Sequence, residues 1–311
     1  MTNKEFYLQN IASDKLFHQP FWLDAVAENN WDVALIKKND EIIASMAYYS
    51  KDGRIIMPAL TQFLGPNIKP VNHKNYYQQL SETHKVLSEL LKQIPNHQYF
   101  EQRWHYQYQN WLPFYWEGFK QTTKYTYVLE NISDIDSIWK GMKDNARNEI
   151  NKAEKELAID SNEDITHFYK FIATALKSKS ITVPYSASFL QNLFTTCLKN
   201  KSSKLFWAKN NDNKPLAAIL IVWDKNTCYY LLGASAETSH SFALRLLIWH
   251  AIQYSSSFVN SFDFEGSMIE GIEHFFRSFG AIQKPYFEIT KTNSRASQIK
   301  QGLNIIKKAI F

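Results

Sequence analysis

Residues 261–291, SFDFEGSMIEGIEHFFRSFGAIQKPYFEITK, constrain the fold more than any other part of the chain. The segment begins with alternating side chains. Phe262 and Phe264 point to one face of a predicted strand, and Asp263 and Glu265 point to the other face. The pattern predicts a strand with one apolar face that ends in two neighbouring carboxylates.

A turn, a short helix and a second strand are predicted to follow. Gly266 breaks the first strand, Ser267 is placed to cap the helix, and Gly280 ends it. The second strand covers residues 285–291. The inner side of the helix carries four apolar residues, Ile272, Phe275, Phe276 and Phe279.

The carboxylates of Asp263 and Glu265 are costly to bury unless a partner or a ligand engages them. One interpretation is a salt-bridged strand end that orients the turn. The other is a functional site, where such carboxylates commonly occur. The sequence leaves both interpretations open.

Composition limits the class of protein. The 311 residues suit two domains of about 150 residues each, and the 45% hydrophobic and 21% charged fractions are those of a globular protein. The formal net charge of +5 suits a polyanionic ligand such as a coenzyme or tRNA. A slightly basic protein without such a ligand would carry the same charge.

Cysteine usage and hydropathy bear on the cellular compartment. Cys197 and Cys228 show no repeated spacing, which indicates reduced structural thiols and no zinc site. The N-terminus lacks the apolar core of a signal peptide, and no apolar run is long enough for a membrane span. We therefore expect a cytoplasmic protein.

The predicted elements occur in a repeated order. Each half reads as helix, antiparallel strands, helix, strand, helix and strand, and a helix over residues 294–311 is expected to end the chain. A polar junction at residues 131–136 separates the halves. The sequence thus predicts an α/β (α+β) fold with domains at residues 1–133 and 134–311. Each domain would contain a mixed, mostly antiparallel sheet flanked by helices.

Several short motifs resemble one enzyme family. D-F-E-G-S at residues 263–267, followed by F-F-x-x-F-G-A at 275–281, resembles the C-terminal signature of the Fem-type peptidyltransferases, which belong to the GNAT superfamily of N-acyltransferases. The segments FHQPFWLDAV (17–26), LTQFLGP (60–66) and NARNEINKAEK (145–155) are also similar to these proteins. The resemblance implies tandem GNAT-like domains, the first of them degenerate.

The same resemblance implies a reaction. An acyl or aminoacyl group would move from a CoA- or tRNA-type donor to an amine. Acyl-CoA or aminoacyl-tRNA would act as co-substrate, without a permanently bound cofactor or metal. The acceptor would be a small molecule or an amine resembling a cell-wall precursor. tRNA is an expected partner, and DNA is not.

Candidate catalytic residues follow from the needs of acyl transfer. A base must take the proton of the attacking ammonium, and hydrogen-bond donors must stabilise the oxyanion. Asp263 and Glu265 are the first candidates for the base, and His274 is the second, although a surface histidine would read the same way. Tyr229 or Tyr230, in the strand before the motif, is a candidate donor of a proton to the leaving group.

The donor site is expected where two strands, 227–234 and 258–264, splay apart. The helix from Ser241 would offer its N-terminal amides to a phosphate. Ser239, His240, Ser241, Arg245 and Arg277 are the candidate donor-binding residues. The Gly-rich loop of acetyl-CoA-using relatives is replaced here by AETSHS at 236–241, and Ser239 or Ser241 would equally serve as a plain helix cap.

Arg147, Lys152 and Ser267 are candidates for substrate binding. Arg147 and Lys152 lie about 140° apart around one helix, so both cannot reach one ligand. A solvated charged face is the alternative for these two residues.

A different class of function is also consistent with the sequence. The fold could serve as a non-catalytic binding module, in which the many aromatic residues line a cleft between the domains. The missing Gly-rich loop favours this alternative, and so does Phe276 in a position where the Fem-type motif commonly has lysine. The intact D-F-E-G-S segment favours an enzyme.

Overall fold

The computed structural model describes residues 1–11, 13–70, 75–178, 180–237 and 240–293. Its contacts divide the chain into two compact units. Unit 1 comprises residues 1–13, 17–124 and 286–311, and unit 2 comprises residues 14–16 and 125–285. The predicted helix at 294–311 lies outside the described residues.

Unit 1 contains one sheet. A short 3-10 helix, Leu16–His18, begins in the segment that belongs to unit 2. The elements from the N-terminus through residue 130 are α1 (Asn3–Gln9), α2 (Pro20–Ala27), β1 (Trp31–Lys38), β2 (Glu41–Lys51), β3 (Arg54–Ile56), β4 (Gly65–Ile68), α3 (Tyr76–Lys92), β5 (Tyr99–Arg103), α4 (Leu112–Trp116) and β6 (Lys120–Glu130).

Unit 2 contains most of the remaining elements. These are α5 (Ile135–Gly141), α6 (Asp144–Glu156), β7 (Ala158–Asp160), α7 (Ile165–Lys177), α8 (Ala187–Lys199), β8 (Ser203–Lys209), β9 (Pro215–Trp223), β10 (Thr227–Ser235), α9 (Ser241–Ser255), β11 (Ser261–Asp263), α10 (Glu270–Arg277) and β12 (Ile282–Thr292). The division between the units falls inside β6 and inside β12.

In each unit the strand pairing is mixed and mostly antiparallel. The strand order in unit 1 is β1-β2-β3-β5-β12, with β4 beside β2; β3 and β5 run parallel, and the other pairs described for these strands are antiparallel. The order in unit 2 is β6-β11-β10-β9-β8-β7; β10 and β11 run parallel, and the other pairs described for these strands are antiparallel. The predicted fold class is confirmed. The predicted boundary at residues 133–134 concerns the duplicated domains, which a division by contacts does not test.

Helix α9 is the centre of the core of unit 2. Most of its residues are buried, including Leu246, Leu247, Ile248 and Trp249. A helix that is apolar on most of its circumference is typical of a protein core. Phe262, Phe264, Phe276 and Phe279 belong to the same apolar cluster. The core thereby fixes both β11 and α10 against α9.

Candidate active site

Strands β10 and β11 separate after a short parallel pairing. Thr227, Cys228 and Tyr229 pair with Ser261, Phe262 and Asp263, and β10 then continues to Ser235 beside β9 alone. Helix α9 connects the two strands, so it begins at the edge where both strands have their carboxyl ends. Ligands of α/β sheets commonly bind at such an edge. The expected splay of these strands is present, although β11 begins at Ser261 and not at residue 258.

A β-bulge lies at the start of this gap. Tyr230 pairs with Ile221 and Leu232 pairs with Leu220, so Leu231 is the extra residue in β10. A bulge breaks the regular pairing of backbone amides and redirects nearby side chains, and bulges often occur next to active sites. The sequence alone gave no sign of it.

Asp263 is buried, with 1% of its surface exposed. Its Oδ1 accepts a hydrogen bond from Thr126 Oγ1 at 2.5 Å and another from the backbone N–H of Glu265 at 2.8 Å. Phe262 and Phe264 pack in the apolar cluster with α9. The predicted separation of aromatic and acidic side chains between the two faces is therefore correct for Asp263. Thr126, which sequence reasoning missed, comes from the neighbouring strand β6.

The next two residues form a tight turn. Glu265 has φ +58° and Gly266 has φ +72°, so both lie in the left-handed region. A Cβ atom on Gly266 would lie 2.1 Å from the carbonyl oxygen of Tyr125 and 2.7 Å from Cα of Thr126. Only glycine fits this close approach to β6. The bond from Glu265 N–H to Asp263 spans the turn and helps to hold the conformation of Glu265.

Helix α10 begins later than predicted. Ile269 is its N-cap and makes no side-chain capping bond, so the expectation that Ser267 caps the helix is wrong. Ser267 Oγ instead accepts a hydrogen bond from Ile269 N–H at 3.0 Å.

The outer side of α10 carries other predicted site residues. His274 and Arg277 are exposed, and Arg277 Nε lies 2.9 Å from Glu273 Oε1. On the inner side, Phe276 packs against Phe264 with ring centroids 5.1 Å apart and against Tyr230 at 5.8 Å. Phe276 is thus a core residue.

The two tyrosines of β10 have different environments. The hydroxyl of Tyr229 donates to Asp224 Oδ2 at 3.0 Å, and the side chain is fully buried. The hydroxyl of Tyr230 lies against Gly233, where an added Cβ would be 2.3 Å from the phenol oxygen. Burial raises the pKa of Tyr230, which therefore keeps its proton at neutral pH.

The N-cap residue of α9 is His240, which makes no side-chain capping bond, whereas Ser186 caps α8 and Asp164 caps α7. Ser241 is the first helical residue, so it is not the N-cap. Among the described residues, His240 Nδ1 is buried without a hydrogen-bond partner. Ser239 lies outside the described residues.

Arg245 is buried among three helices. Its Nε lies 2.9 Å from Glu149 Oε2 on α6, and its Nη1 donates to Ser278 Oγ at 2.5 Å. The guanidinium also stacks over Phe275 and Phe279 of the α10 region, at 4.5 and 5.4 Å from the ring centroids. These contacts occupy Arg245 within the core of unit 2.

The remaining predicted residues lie on α6. Arg147 contacts Asp144 and donates to the carbonyl of Lys140 at 3.2 Å, near the end of α5. Lys152 is exposed. The structure therefore brings Asp263, Glu265, Tyr229 and Tyr230 to one strand pair, while Arg147 and Lys152 point to different surroundings, as their angular separation predicts.

The described residues show neither a metal-binding cluster nor a membrane-spanning helix. In the part of the chain that the structure describes, no group of three or more His, Cys, Asp or Glu side chains is arranged to hold a metal ion. Among the described helices, none combines the length and apolar character that a membrane crossing requires.

Residues 140–275 match the model of the Acetyltransferase (GNAT) domain family. This part of the chain is therefore similar in sequence to a GNAT acetyltransferase domain. The matched residues include both splayed strands, helix α9 and the Glu265 turn. No curated protein sequence matches the chain.

Solved structures with the same fold cover nearly the whole chain. FemX is similar with a TM-score of 0.64 and 11% identity, over 92% of this chain and 94% of its own. L-PGS from Bacillus licheniformis gives a TM-score of 0.55 and 9% identity, over 93% and 91% of the two chains. A tandem GNAT protein from the clavulanic acid biosynthesis pathway gives 0.50 and 7%, over 88% and 94%.

These similarities confirm the predicted GNAT fold of the Fem type. At such low identities the solved structures support the fold alone, and the matched domain family supplies the activity class. The protein is an enzyme of the acyltransferase type. The prediction of an enzyme is thereby confirmed.

Proposed function

We propose that this protein transfers an acyl or aminoacyl group, from a CoA thioester or an aminoacyl-tRNA ester, to an amine bound beside the gap between β10 and β11. The observation that carries the proposal is the coincidence of three features at one sheet edge. They are the splayed strands, the uncapped start of α9 and the Glu265 turn.

The donor would lie along β10 with a phosphate at the N-terminus of α9. The N-cap residue His240 gives the first-turn amides of α9 no side-chain cap, and the helix dipole favours an anion there. His240 and Ser241 border this position, and Ser239 precedes it in the chain. The acyl carbonyl would then lie near the bulge, where the backbone N–H of Leu231 is our candidate donor to the oxyanion.

Glu265 is our candidate general base. Its carboxylate would take a proton from the acceptor ammonium, and the free amine would attack the acyl carbonyl carbon. A C–N bond forms, and the C–S or C–O bond to the donor breaks. Asp263 has a different role in this proposal, because it is buried and its Oδ1 is engaged by Thr126 and by the Glu265 backbone.

The leaving thiolate or alkoxide must receive a proton. Tyr230 is the better of the two tyrosine candidates, because the hydroxyl of Tyr229 is engaged by Asp224. Burial raises the pKa of Tyr230, so the phenol holds its proton before the bond to the donor breaks. His274 remains the second candidate for the base.

The acceptor is proposed to be a small molecule or a precursor-like compound with a free amine. Ser267, Arg147 and Lys152 remain candidate substrate contacts, and Arg245 and Arg277 remain candidate donor contacts. The similarity in fold to FemX and L-PGS keeps tRNA among the proposed partners. A cytoplasmic location stays a prediction from the sequence.

The donor is tested by thermal-shift measurements with acetyl-CoA, longer acyl-CoAs and free CoA. Binding to the native state raises Tm, by an amount that grows with the ratio of ligand concentration to Kd. A rise with any CoA species identifies the donor class. If Tm does not change with any of them, the acyl-CoA form of the proposal is wrong, and aminoacyl-tRNA is the donor to test next.

The base is tested by amine acylation with the donor so identified, measured by mass spectrometry. Glu265→Gln should lower kcat by about 100-fold or more, as loss of a general base does, with little change in Tm. Glu270→Gln is the matched control, because Glu270 is an exposed carboxylate at the start of α10. Equal rates for the two variants would remove Glu265 from the mechanism.

A further inference from the structure

Lys15 belongs with unit 2, although the residues on either side of 14–16 belong with unit 1. Its side chain is half-buried and lies within electrostatic range of three carboxylates, Asp14, Asp224 and Asp263. Two of these carboxylates belong to the strand region of the candidate active site. A half-buried lysine beside the buried Asp263 needs an explanation that the proposed chemistry does not yet give.

Both neighbours of Lys15 in the chain contact residues at the turn before β10. The backbone N–H of Leu16 donates to Asp224 Oδ2 at 3.1 Å, and Lys225 Nζ lies 2.9 Å from Asp14 Oδ1. The Lys225–Asp14 pair is exposed, so it contributes little. The bond to Asp224 is the internal contact that positions the lysine.

Asp224 links this segment to the splayed strands. Its Oδ2 also accepts from the Tyr229 hydroxyl, and its Oδ1 accepts from the N–H groups of Asn226 and Thr227 at 2.9 and 2.8 Å. Tyr229 is the residue that pairs directly with Asp263 across β10 and β11. Because paired residues project to the same face, Tyr229 and Asp263 lie on one side of the sheet, and the Tyr229 hydroxyl reaches Asp224.

A nearby positive charge favours the ionised form of Asp263. It has 1% exposure, and a buried carboxylate without a cation favours the protonated form. Hydrogen bonds from Thr126 and the Glu265 N–H favour the ionised form, and they are strong only while the carboxylate is charged. Lys15 is a cation within range of it.

We infer that Lys15 is a positioning residue for the transfer reaction: its ammonium keeps Asp263 ionised, and the ionised Asp263 holds the Glu265–Gly266 turn in its left-handed conformation. The inference rests on the proposed function for the role of Glu265. It assigns to the N-terminal segment 14–16 a part in arranging the active site that the motif at 263–267 does not reveal.

The electrostatic setting agrees with this inference. Burial lowers the pKa of Lys15, and Asp224, Asp263 and Asp14 oppose that change. The charged and titratable groups around it are these three carboxylates, with Lys225 on Asp14, Tyr229 on Asp224 and Glu265 after Asp263. When Lys15 is replaced by a neutral residue, protonation of Asp263 should become easier.

Three variants of the full chain test the inference: Lys15→Met, Lys15→Arg and the control Lys225→Met, which removes the exposed cation from the same segment. The first readout is amide hydrogen exchange of Glu265, whose N–H is bonded to Asp263. Lys15→Met should accelerate this exchange by about 10-fold or more. Lys15→Arg and Lys225→Met should stay close to the natural protein.

The second readout is the pH profile of kcat/KM. Lys15→Met should lower kcat/KM by about 10-fold at neutral pH and move the acidic limb to higher pH, and Lys15→Arg should restore both. A lysine that only stabilises the fold would leave the position of the acidic limb unchanged. That result, with unchanged Glu265 exchange, overturns the inference.

The two proposals fail in different ways. If the natural protein transfers no acyl group from any donor, the proposed function is wrong, and the exchange of Glu265 alone decides the link from Lys15 to Asp263. If Lys15→Met does not fold, the double variant Lys15→Met/Asp263→Asn replaces it. A folded double variant supports the pairing, because removing both charges removes the conflict. A double variant that also fails to fold shows that Lys15 serves another purpose and overturns the inference.

Discussion

Gly266 is the residue at which the candidate active site is least tolerant of change. A Cβ atom there would overlap the carbonyl oxygen of Tyr125 at 2.1 Å, and φ is +72°. Gly266→Ala therefore has to move the turn or β6, and we expect it to lower the free energy of unfolding by about 2–4 kcal/mol. It should also abolish acyl transfer, because Glu265 moves with the turn. Urea unfolding and the transfer assay measure the two effects.

Gly271 provides the matched control. A Cβ atom on Gly271 would meet nothing within 4 Å, and the residue lies in α10 with ordinary helical backbone. Gly271→Ala should be neutral or should stabilise the protein by up to about 1 kcal/mol. Similar destabilisation by both substitutions would mean that the Gly266 turn is not a special constraint.

Part of this site could be predicted from the sequence. The alternation of Phe262 and Phe264 with Asp263 predicts the two faces correctly, because period-two patterning is a local property. Thr126 and Lys15 were not foreseen. Each lies more than 130 positions away from Asp263 in the chain, and only the paired strands and the packed segment 14–16 bring them near.

Among the elements, α9 is tied to α6 and to the end of α10 through Arg245. The guanidinium is 10% exposed and Glu149 is 30% exposed, so the pair is only partly screened by water. Arg245→Met should lower the free energy of unfolding by about 2 kcal/mol, less than the loss of a fully buried pair, because Glu149 can regain water. Chemical denaturation measures this loss.

Arg277→Met is the control for the loss of a charge. Arg277 forms an exposed pair with Glu273 four residues earlier, and such pairs contribute about 0.5 kcal/mol or less.

The Kd of the donor distinguishes a structural role of Arg245 from a role in donor binding. A role confined to the fold predicts an unchanged Kd for Arg245→Met, whereas a large rise in Kd would support direct binding of the donor.

Ser241→Asp, at the start of α9, should have opposite effects on the stability of the helix and on donor binding. Ser241→Asp places a carboxylate in the exposed first turn of α9, which should stabilise the helix by about 0.3–1 kcal/mol. The same charge should weaken donor binding by about 10-fold, since it repels a phosphate at that position. Thermal unfolding without a donor and donor titration measure the two effects separately.

Ala187→Asp makes the same change at the exposed first residue of α8, whose N-terminus is capped by Ser186. We expect it to leave donor affinity unchanged. A loss of affinity in both variants would point to the total charge of the protein as the cause and would argue against a phosphate site at α9.

Element boundaries and irregularities were harder to foresee than element types. The strand, turn and helix at 261–277 were predicted in the right order, yet Ser267 was predicted as the N-cap residue, a position that Ile269 occupies without a side-chain capping bond. The bulge at Leu231 follows from the register between β9 and β10, which no local pattern specifies. Both misses concern contacts between elements, and the correct predictions concern patterns within one element.

For the whole molecule, the order of helices and strands predicted the fold class, and the resemblance of short motifs pointed to the GNAT fold. The packing of the chain into units was not predictable in the same way. Residues 14–16 join unit 2, and β6 and β12 each pass from one unit to the other. These assignments depend on pairings between distant segments, such as β12 with β5, whose contact is set by tertiary structure.

Each unit also contains a histidine whose burial makes the protein sensitive to acid. Burial lowers the pKa of His97 in unit 1 and of His250 in unit 2, where the ring packs against Phe206 at 4.9 Å. The unfolded chain binds these protons more readily, so stability rises with pH between the lowered values and about 6.5 and is lost as pH falls through that range. We expect Tm of the natural protein to fall by a few degrees from pH 7 to pH 5.5, and to fall less in His250→Gln.

His274→Gln is the control, because His274 is exposed, and its Tm should fall as much as that of the natural protein. An equal fall in the natural protein and in both variants would assign the acid sensitivity to other groups.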